Sequence, residues 1–278
     1  MVVQIRTAER PPRWQDALPW RMRLWHRRNL IQQLIRREVV GRYRGSLLGT
    51  LWAVCLPLFA VAVYTLVFGL ILKQRWPGRE GIEFPLLVWT GLAVFNTLAE
   101  ILQRAPSVIL AQPNLVKKVV FPLEVLPVML VGTSLVPLGI SLSAVGVGAV
   151  WITGELPHVP VLIINLFLLM LFLQGTAWLL AGIGTFLRDL QPMMQALCPL
   201  LLFLSPILYP LDVVPTAWQT LFWLNPLTVL VEGMRSALLH TASPPLWAWV
   251  LCLVNCLIAW NLGSFVFTRT RPDMADVV

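Results

Sequence analysis

GRYRGSLLGTLWAVCLP, from Gly41 to Pro57, decides the class of this chain. Arg42 and Arg44 stand just ahead of a run from Leu47 to Leu72 that holds no charged residue. About 20 apolar residues at 1.5 Å each cross the hydrocarbon of a bilayer, so the run is long enough to span a membrane. Arginines beside one end of a span mark that end as cytoplasmic. The stretch therefore predicts an integral membrane protein and orients its first crossing.

The composition agrees. Hydrophobic residues make up 58% of the 278, charged ones 12%, and the mean hydropathy is +0.76, beyond the range of a soluble globule. The formal charge of +8 does not describe a nucleic-acid surface, and no nucleic-acid partner is expected. Eleven of the 21 lysines and arginines fall in the first 46 residues, beside the membrane, and form no stripe or groove. The cysteines at 55, 198, 252 and 256 all lie in apolar runs and read as small packing residues.

Three regions are expected: a cytoplasmic N-terminal segment (1–46), a six-helix transmembrane domain (47–267) and a cytoplasmic tail (268–278). Within the first, residues 24–40 carry a helical period. Leu30, Ile31, Leu34, Ile35 and Val39 share one side, and Asn29, Gln32, Gln33, Arg36 and Arg37 the other. That is the pattern of a helix lying in the membrane interface. Glu38 falls on the apolar side, where it requires an arginine or a protein partner.

Spans are expected at about 47–72, 85–103, 125–150, 161–186, 193–209 and 246–267, the fifth at the lower limit of length. With both termini inside, 17 lysines and arginines face the cytoplasm and 4 the outside, which sets the orientation. Trp76, Trp89, Trp151, Trp218, Trp223, Trp247 and Trp249 gather at the outer boundary as an aromatic belt. Two connections are unusual. On the inner side, prolines 113 and 122 bracket enough residues for two helical turns across the surface. On the outer side, Pro206 to about Leu239 is too apolar for a solvated loop and is broken by four prolines, which suggests re-entrant or interfacial half-helices. The fold class is thus all-α and membrane-integral, with an amphipathic interface helix and outer re-entrant half-helices between spans 5 and 6. Glu232 and Arg235, three apart on one such piece, either pair or flank an outer gate.

Catalytic signatures are missing from the sequence. It holds no phosphate-cradling GxxxxGK[ST] loop, no nucleophile elbow, no HExxH pair and no Cys/His set at metal spacing. Glu100, Glu124, Glu155, Asp189 and Asp212 sit near segment ends, where solvated or snorkelling roles are cheap. Arg188 and Asp189 read as a local ion pair. No metal or cofactor is expected on this chain, and no enzyme activity.

Four strings, in order, carry a family resemblance. They are REVVGRYRGSLLGTLWA (Arg37–Ala53, with Arg36 before it), NLVKKVVFPLEVLP (Asn114–Pro127), FLRDL (Phe186–Leu190) and SPILYP (Ser205–Pro210) with Asn225–Pro226. The chain resembles the ABC-2-type permeases that export bacterial surface polysaccharides, O-antigen permeases first, then those for teichoic acid and capsule. The resemblance implies an inner-membrane half-transporter: two permease copies forming a channel, paired with two copies of a separate ATPase that holds ATP and magnesium. It implies a lipid-linked glycan as cargo. Arg36, Arg37, Glu38, Arg42, Arg44, Asn114, Lys117 and Lys118 are the inner-surface residues available for coupling to that ATPase. The Lys117–Lys118 pair either meets acidic groups there or simply follows the positive-inside rule.

A glycan path needs aromatic faces for the apolar side of sugars and few fixed charges. Trp52 and Phe59, seven apart, share one face of the first span; Tyr64 and Phe68 share another; Phe203 and Tyr209 lie on the fifth. Each reads also as a lipid-facing or core ring. Two other functions remain open on the sequence: the same fold exporting a drug or small amphiphile, and a membrane-embedded glycosyl- or phospho-transferase. The latter chemistry usually needs paired carboxylates for a divalent metal, and no such motif is visible.

Overall fold

The protein is described here from a computed structural model, which covers residues 24, 27–42, 83–113 and 121–277 and isolated positions between 51 and 71. Among the described residues its helices are α1 (Arg28–Arg42), α2 (Glu83–Arg104), α3 (Val125–Thr153), α4 (Val159–Gly184), α5 (Leu190–Phe203), α6 (Thr216–Leu224), α7 (Pro226–Leu239), α8 (Leu246–Thr270) and the single turn α9 (Met274–Val277). Short 3₁₀ turns follow α2, precede α6 and follow α8, and the described residues contain no strand.

Four segments are long and apolar enough to cross a bilayer: Phe84–Ser107, Val125–Thr153, Val159–Gly184 and Leu246–Asp273. They answer to the second, third, fourth and sixth expected spans. The first expected span lies mostly outside the described residues. The fifth is shorter than expected. The 14 residues of α5 reach only about 21 Å, and the chain turns after Phe203. Pro206 follows at once, and a residue before proline is pushed out of helical geometry.

The helices are not equally central. In α2, 78% of the span is buried, against 28% in α8, so α2 is the inner post and α8 is peripheral. Between α4 and α8 the backbones touch. A Cβ on Gly175 would fall on the Ala259 carbonyl and the Trp260 amide, and one on Gly263 would fall on the backbone of Gly175. Small residues of this kind let membrane helices associate by close contact, since lipid gives no hydrophobic drive between them. Trp178 then meets Trp260 edge-on at 4.9 Å.

Between α5 and α8 lie two shorter helices, α6, which has no buried residue, and α7, which packs against α2 and α4. Asn225 begins α7 as its N-cap, its side-chain oxygen accepting from the Leu227 N–H, with Pro226 in the first helical position. Its amide nitrogen donates to Ser205 Oγ at 2.9 Å, which fixes that cap to the turn after α5. Pro226 lies level with Cys252, six residues into α8, or about 9 Å below its start. At the other end Ala237 accepts from the His158 N–H, at the head of α4. Every residue of α7 from Leu227 to Leu239 is buried except Glu232.

Candidate functional site

At the α1 end of the bundle, charges of alternating sign form a chain. Glu38 accepts from Arg104 at 2.6 Å, Arg104 donates to Glu100 at 2.7 Å, and Arg42 donates to the same Glu100 at 2.6 Å. This resolves the position of Glu38 on the apolar side of α1: that side faces α2 and α3, and Arg104 meets it there. Ile35, one turn earlier, packs where Gly132 of α3 leaves room. Partly exposed pairs contribute only about 0–1 kcal/mol each, so the cluster fixes how α1 docks more than it drives folding.

Glu124, just ahead of α3, is a second anchor. It is 1% exposed and lies between Arg27 at 3.4 Å and Arg271 at 3.5 Å. The carboxylates therefore differ from the sequence expectation of solvated segment ends. Glu124 is buried and Glu100 carries two arginines, whereas Glu155 and Asp212 are exposed. Arg188 and Asp189 are both exposed, and among the described residues no ion pair joins them. The sequence signal for Glu124 was its place directly before an apolar helix, where a carboxylate is close to an N-terminus; its two arginines lie 97 and 147 residues away.

Of the other coupling residues, Arg36 and Arg37 are exposed on α1 and, with Gln33, Gln112 and Met129, line a groove of about 550 Å³. Arg44, Asn114, Lys117 and Lys118 lie outside the described residues, as do Tyr64 and Phe68. Trp52 is 39% exposed and Phe59 71%. Phe203 is exposed too, while Tyr209 is half-buried. The last two are brought together: the Tyr209 hydroxyl donates to the Phe203 carbonyl at 2.7 Å, and its ring meets Phe222 edge-on.

Glu232 and Arg235 are paired at 2.7 Å, and the arginine does much more. It is fully buried and donates to the carbonyls of Leu87 (3.0 Å), Pro206 (2.7 Å) and Ile207 (2.7 Å). The planar guanidinium reaches this many acceptors because its five N–H groups fan out in a fixed fork. Gly91 of α2 supplies the space, since a Cβ there would sit 2.8 Å from Nη2. One side chain thus ties α7 to α2 and to the turn after α5.

Loss of the shared cation in the α1 cluster has a defined consequence. Arg104→Gln unties Glu38 and leaves Glu100 to Arg42 alone, so α1 should lift from the bundle more often. Two partly exposed pairs correspond to about 1 kcal/mol, or about fivefold in opening. Trypsin cutting after Arg36 or Arg37 in vesicles that expose the α1 end should accelerate by about that factor. An unchanged rate would show that the pairs do not hold α1.

Residues 29–239 match the family described as "ABC-2 type transporter". The chain is 30% identical over 264 residues to "O-antigen export system permease protein RfbA" of Myxococcus xanthus, covering 92% of this chain and 97% of that protein. It is 23% identical to a Klebsiella pneumoniae protein of the same description, over 90% of this chain and 95% of the relative. It is 26% identical to "Polysialic acid transport protein KpsM" of Escherichia coli, over 75% of this chain and 81% of the relative. The family match takes in α1, the α6–α7 pair and the helices between them, so the chain belongs to the ABC-2 type transporter family.

Proposed function

We propose that this chain is the membrane permease subunit of an ATP-driven exporter of lipid-linked surface polysaccharide. The observation that carries the reading is the nearly full-length likeness to permeases of O-antigen and polysialic acid transport. The chain works as a homodimer in the inner membrane, with two copies of a separate ABC ATPase and both termini in the cytoplasm. Residues 47–72 and α5 with the turn after it complete six crossings, and α6–α7 is the outer re-entrant pair. The level of Pro226 with Cys252 and of Ala237 with His158 supports that last assignment.

Mechanically, an ATPase would push on α1 and on the 114–121 segment. Arg104, Glu100 and Glu38 join α1 to the lower end of α2. Leu87, about 25 Å further along the same helix, is held by Arg235 of α7. A displacement of α1 is therefore passed through one buried helix to the outer pair, where Glu232 and Arg235 control opening. Glu124 carries the same movement to α3 and to the tail through Arg271. The exposed Trp52, Phe59 and Phe203, with Tyr209, Tyr64 and Phe68, offer ring faces to the sugar chain.

The nucleotide chemistry belongs to the partner. Purified alone, the chain should neither bind nor hydrolyse ATP, and co-expression with its ATPase should bring both activity and polysaccharide display. Lys117→Glu with Lys118→Glu should weaken that co-purification or uncouple export at normal membrane level. Saturable ATP binding to the isolated chain, or full export by the double variant, would overturn the respective assignment.

A further inference from the structure

Of the residues from 84 to 107, Asn96 alone is exposed, and it stands at the midpoint of the Phe84–Ser107 span. An amide in hydrocarbon without a partner costs roughly 2–7 kcal/mol, so a polar side chain at this depth faces a watery cavity or a protein neighbour. Behind it a notch of about 80 Å³ opens between α2 and α3, lined also by Trp89, Thr97, Glu100, Ser134, Pro137 and Ser141.

The notch is equipped for a guest that both donates and accepts. Trp89 is 8% exposed and lines the notch, and its indole Nε1–H, itself closed off from solvent, has no hydrogen-bond partner in the structure. A buried donor left so is rare, and leaving it unsatisfied costs about 1–3 kcal/mol. The hydroxyls of Thr97 and Ser134 donate to Ala93 and Val131 and keep their lone pairs as acceptors. Pro137, inside α3, has no N–H to give to the carbonyl of Thr133. The Glu100 carboxylate is already engaged by Arg42 and Arg104, so no uncompensated charge selects an ion. The volume suits two or three waters at about 30 Å³ each, or a single hydroxymethyl group, and is too small for a sugar ring.

We propose that this notch is a hydroxyl-binding site on the wall of the transport path, wetted from that path, with the Asn96 amide at its mouth and the hydroxyls of Thr97, Ser134 and Ser141 along it. Water fills it between cargoes, and hydroxyls of the passing glycan replace that water. The glycan half of the statement rests on the export reading; the wetting does not. A second copy of the chain lying over Asn96 would satisfy the amide but would leave the notch behind it unfilled.

Thiol labelling tests this directly. In a Cys55→Ser background, which removes the exposed native thiol, Asn96→Cys and Ser141→Cys are introduced separately. Only the thiolate attacks a charged methanethiosulfonate, forming a mixed disulfide and expelling methanesulfinate, and the thiolate forms in water and not in hydrocarbon. Met170→Cys, exposed in apolar surroundings near the midpoint of α4, is the depth control. Both notch variants should react about tenfold faster than the control or more. Slowing of that reaction in membranes loaded with lipid-linked glycan assigns the site to sugar hydroxyls as well; an unchanged rate assigns it to water. Reaction as slow as at position 170 in both variants overturns the proposal. So does oxidative coupling of Asn96→Cys between two copies without aqueous labelling. Polysaccharide display separates the readings: absent labelling with intact export sinks only the notch, and absent display by the parental Cys55→Ser chain with its ATPase, its notch intact, sinks the export reading while labelling of the notch variants still tests the wetting.

Discussion

Gly175→Leu should leave almost no folded protein in the membrane. The Cβ alone would fall within the peptide group joining Ala259 to Trp260, and three further carbons would have to go beyond it. Backbone atoms cannot rotate away as a side chain does, so α4 and α8 must separate along the contact. Overpacking a core with extra methylenes typically costs about 1–3 kcal/mol where side chains can yield, and here they cannot. The separation also exposes Gly263, whose own Cβ position coincides with Gly175, and breaks the Trp178–Trp260 contact one turn away. Gly263→Leu should behave the same way. Gly139→Leu is the control, because nothing lies within 4 Å of a Cβ there. The monodisperse fraction after detergent extraction reads all three. If Gly175→Leu and Gly139→Leu extract alike, the close approach of α4 and α8 is wrong.

That contact also shows where sequence reading stops in a membrane protein. Runs of apolar residues located four spans, because length against hydrocarbon thickness is a one-dimensional property. The sidedness of α1 was legible too, since Arg36 and Arg37 are exposed and Ile31, Leu34 and Ile35 are turned toward the bundle. Neighbours were not legible. Lipid tails are as apolar as leucine, so a uniformly hydrophobic helix such as α4 gives no sign of which face meets protein. Glu38 posed a question that its own helix could not answer, and Arg104, 66 residues on, answers it. Gly175 and Gly263 are two unremarkable glycines until the helices bearing them are laid side by side. The path to a cargo came from the resemblance of four strings, because rings on exposed helix faces look the same whether they meet sugar or lipid.

Arg235→Met should be nearly as damaging as the glycine change, and for an electrostatic reason. Methionine fills similar space but withdraws the donors that now serve the carbonyls of Leu87, Pro206 and Ile207 and the Glu232 carboxylate. Removing one member of a buried, hydrogen-bonded pair costs about 3–5 kcal/mol, largely because the groups left behind stay desolvated. In a chain of this size that corresponds to a Tm lower by about 10 °C in detergent. Arg235→Lys should recover little. A lysine keeps the charge as a compact point and cannot address three carbonyls on two separate segments at once. Glu232→Gln alone should be mild, since that side chain is 13% exposed and its amide oxygen can still accept from the guanidinium. Adding Glu232→Gln to Arg235→Met should restore part of the loss by removing the lone carboxylate, while the three carbonyls remain without a donor. That order of Tm values distinguishes an arginine that anchors α7 from one that only balances a neighbouring charge. If Arg235→Lys melts with the unaltered chain, balance suffices; if it melts near Arg235→Met, the fork of hydrogen bonds holds α7 against α2.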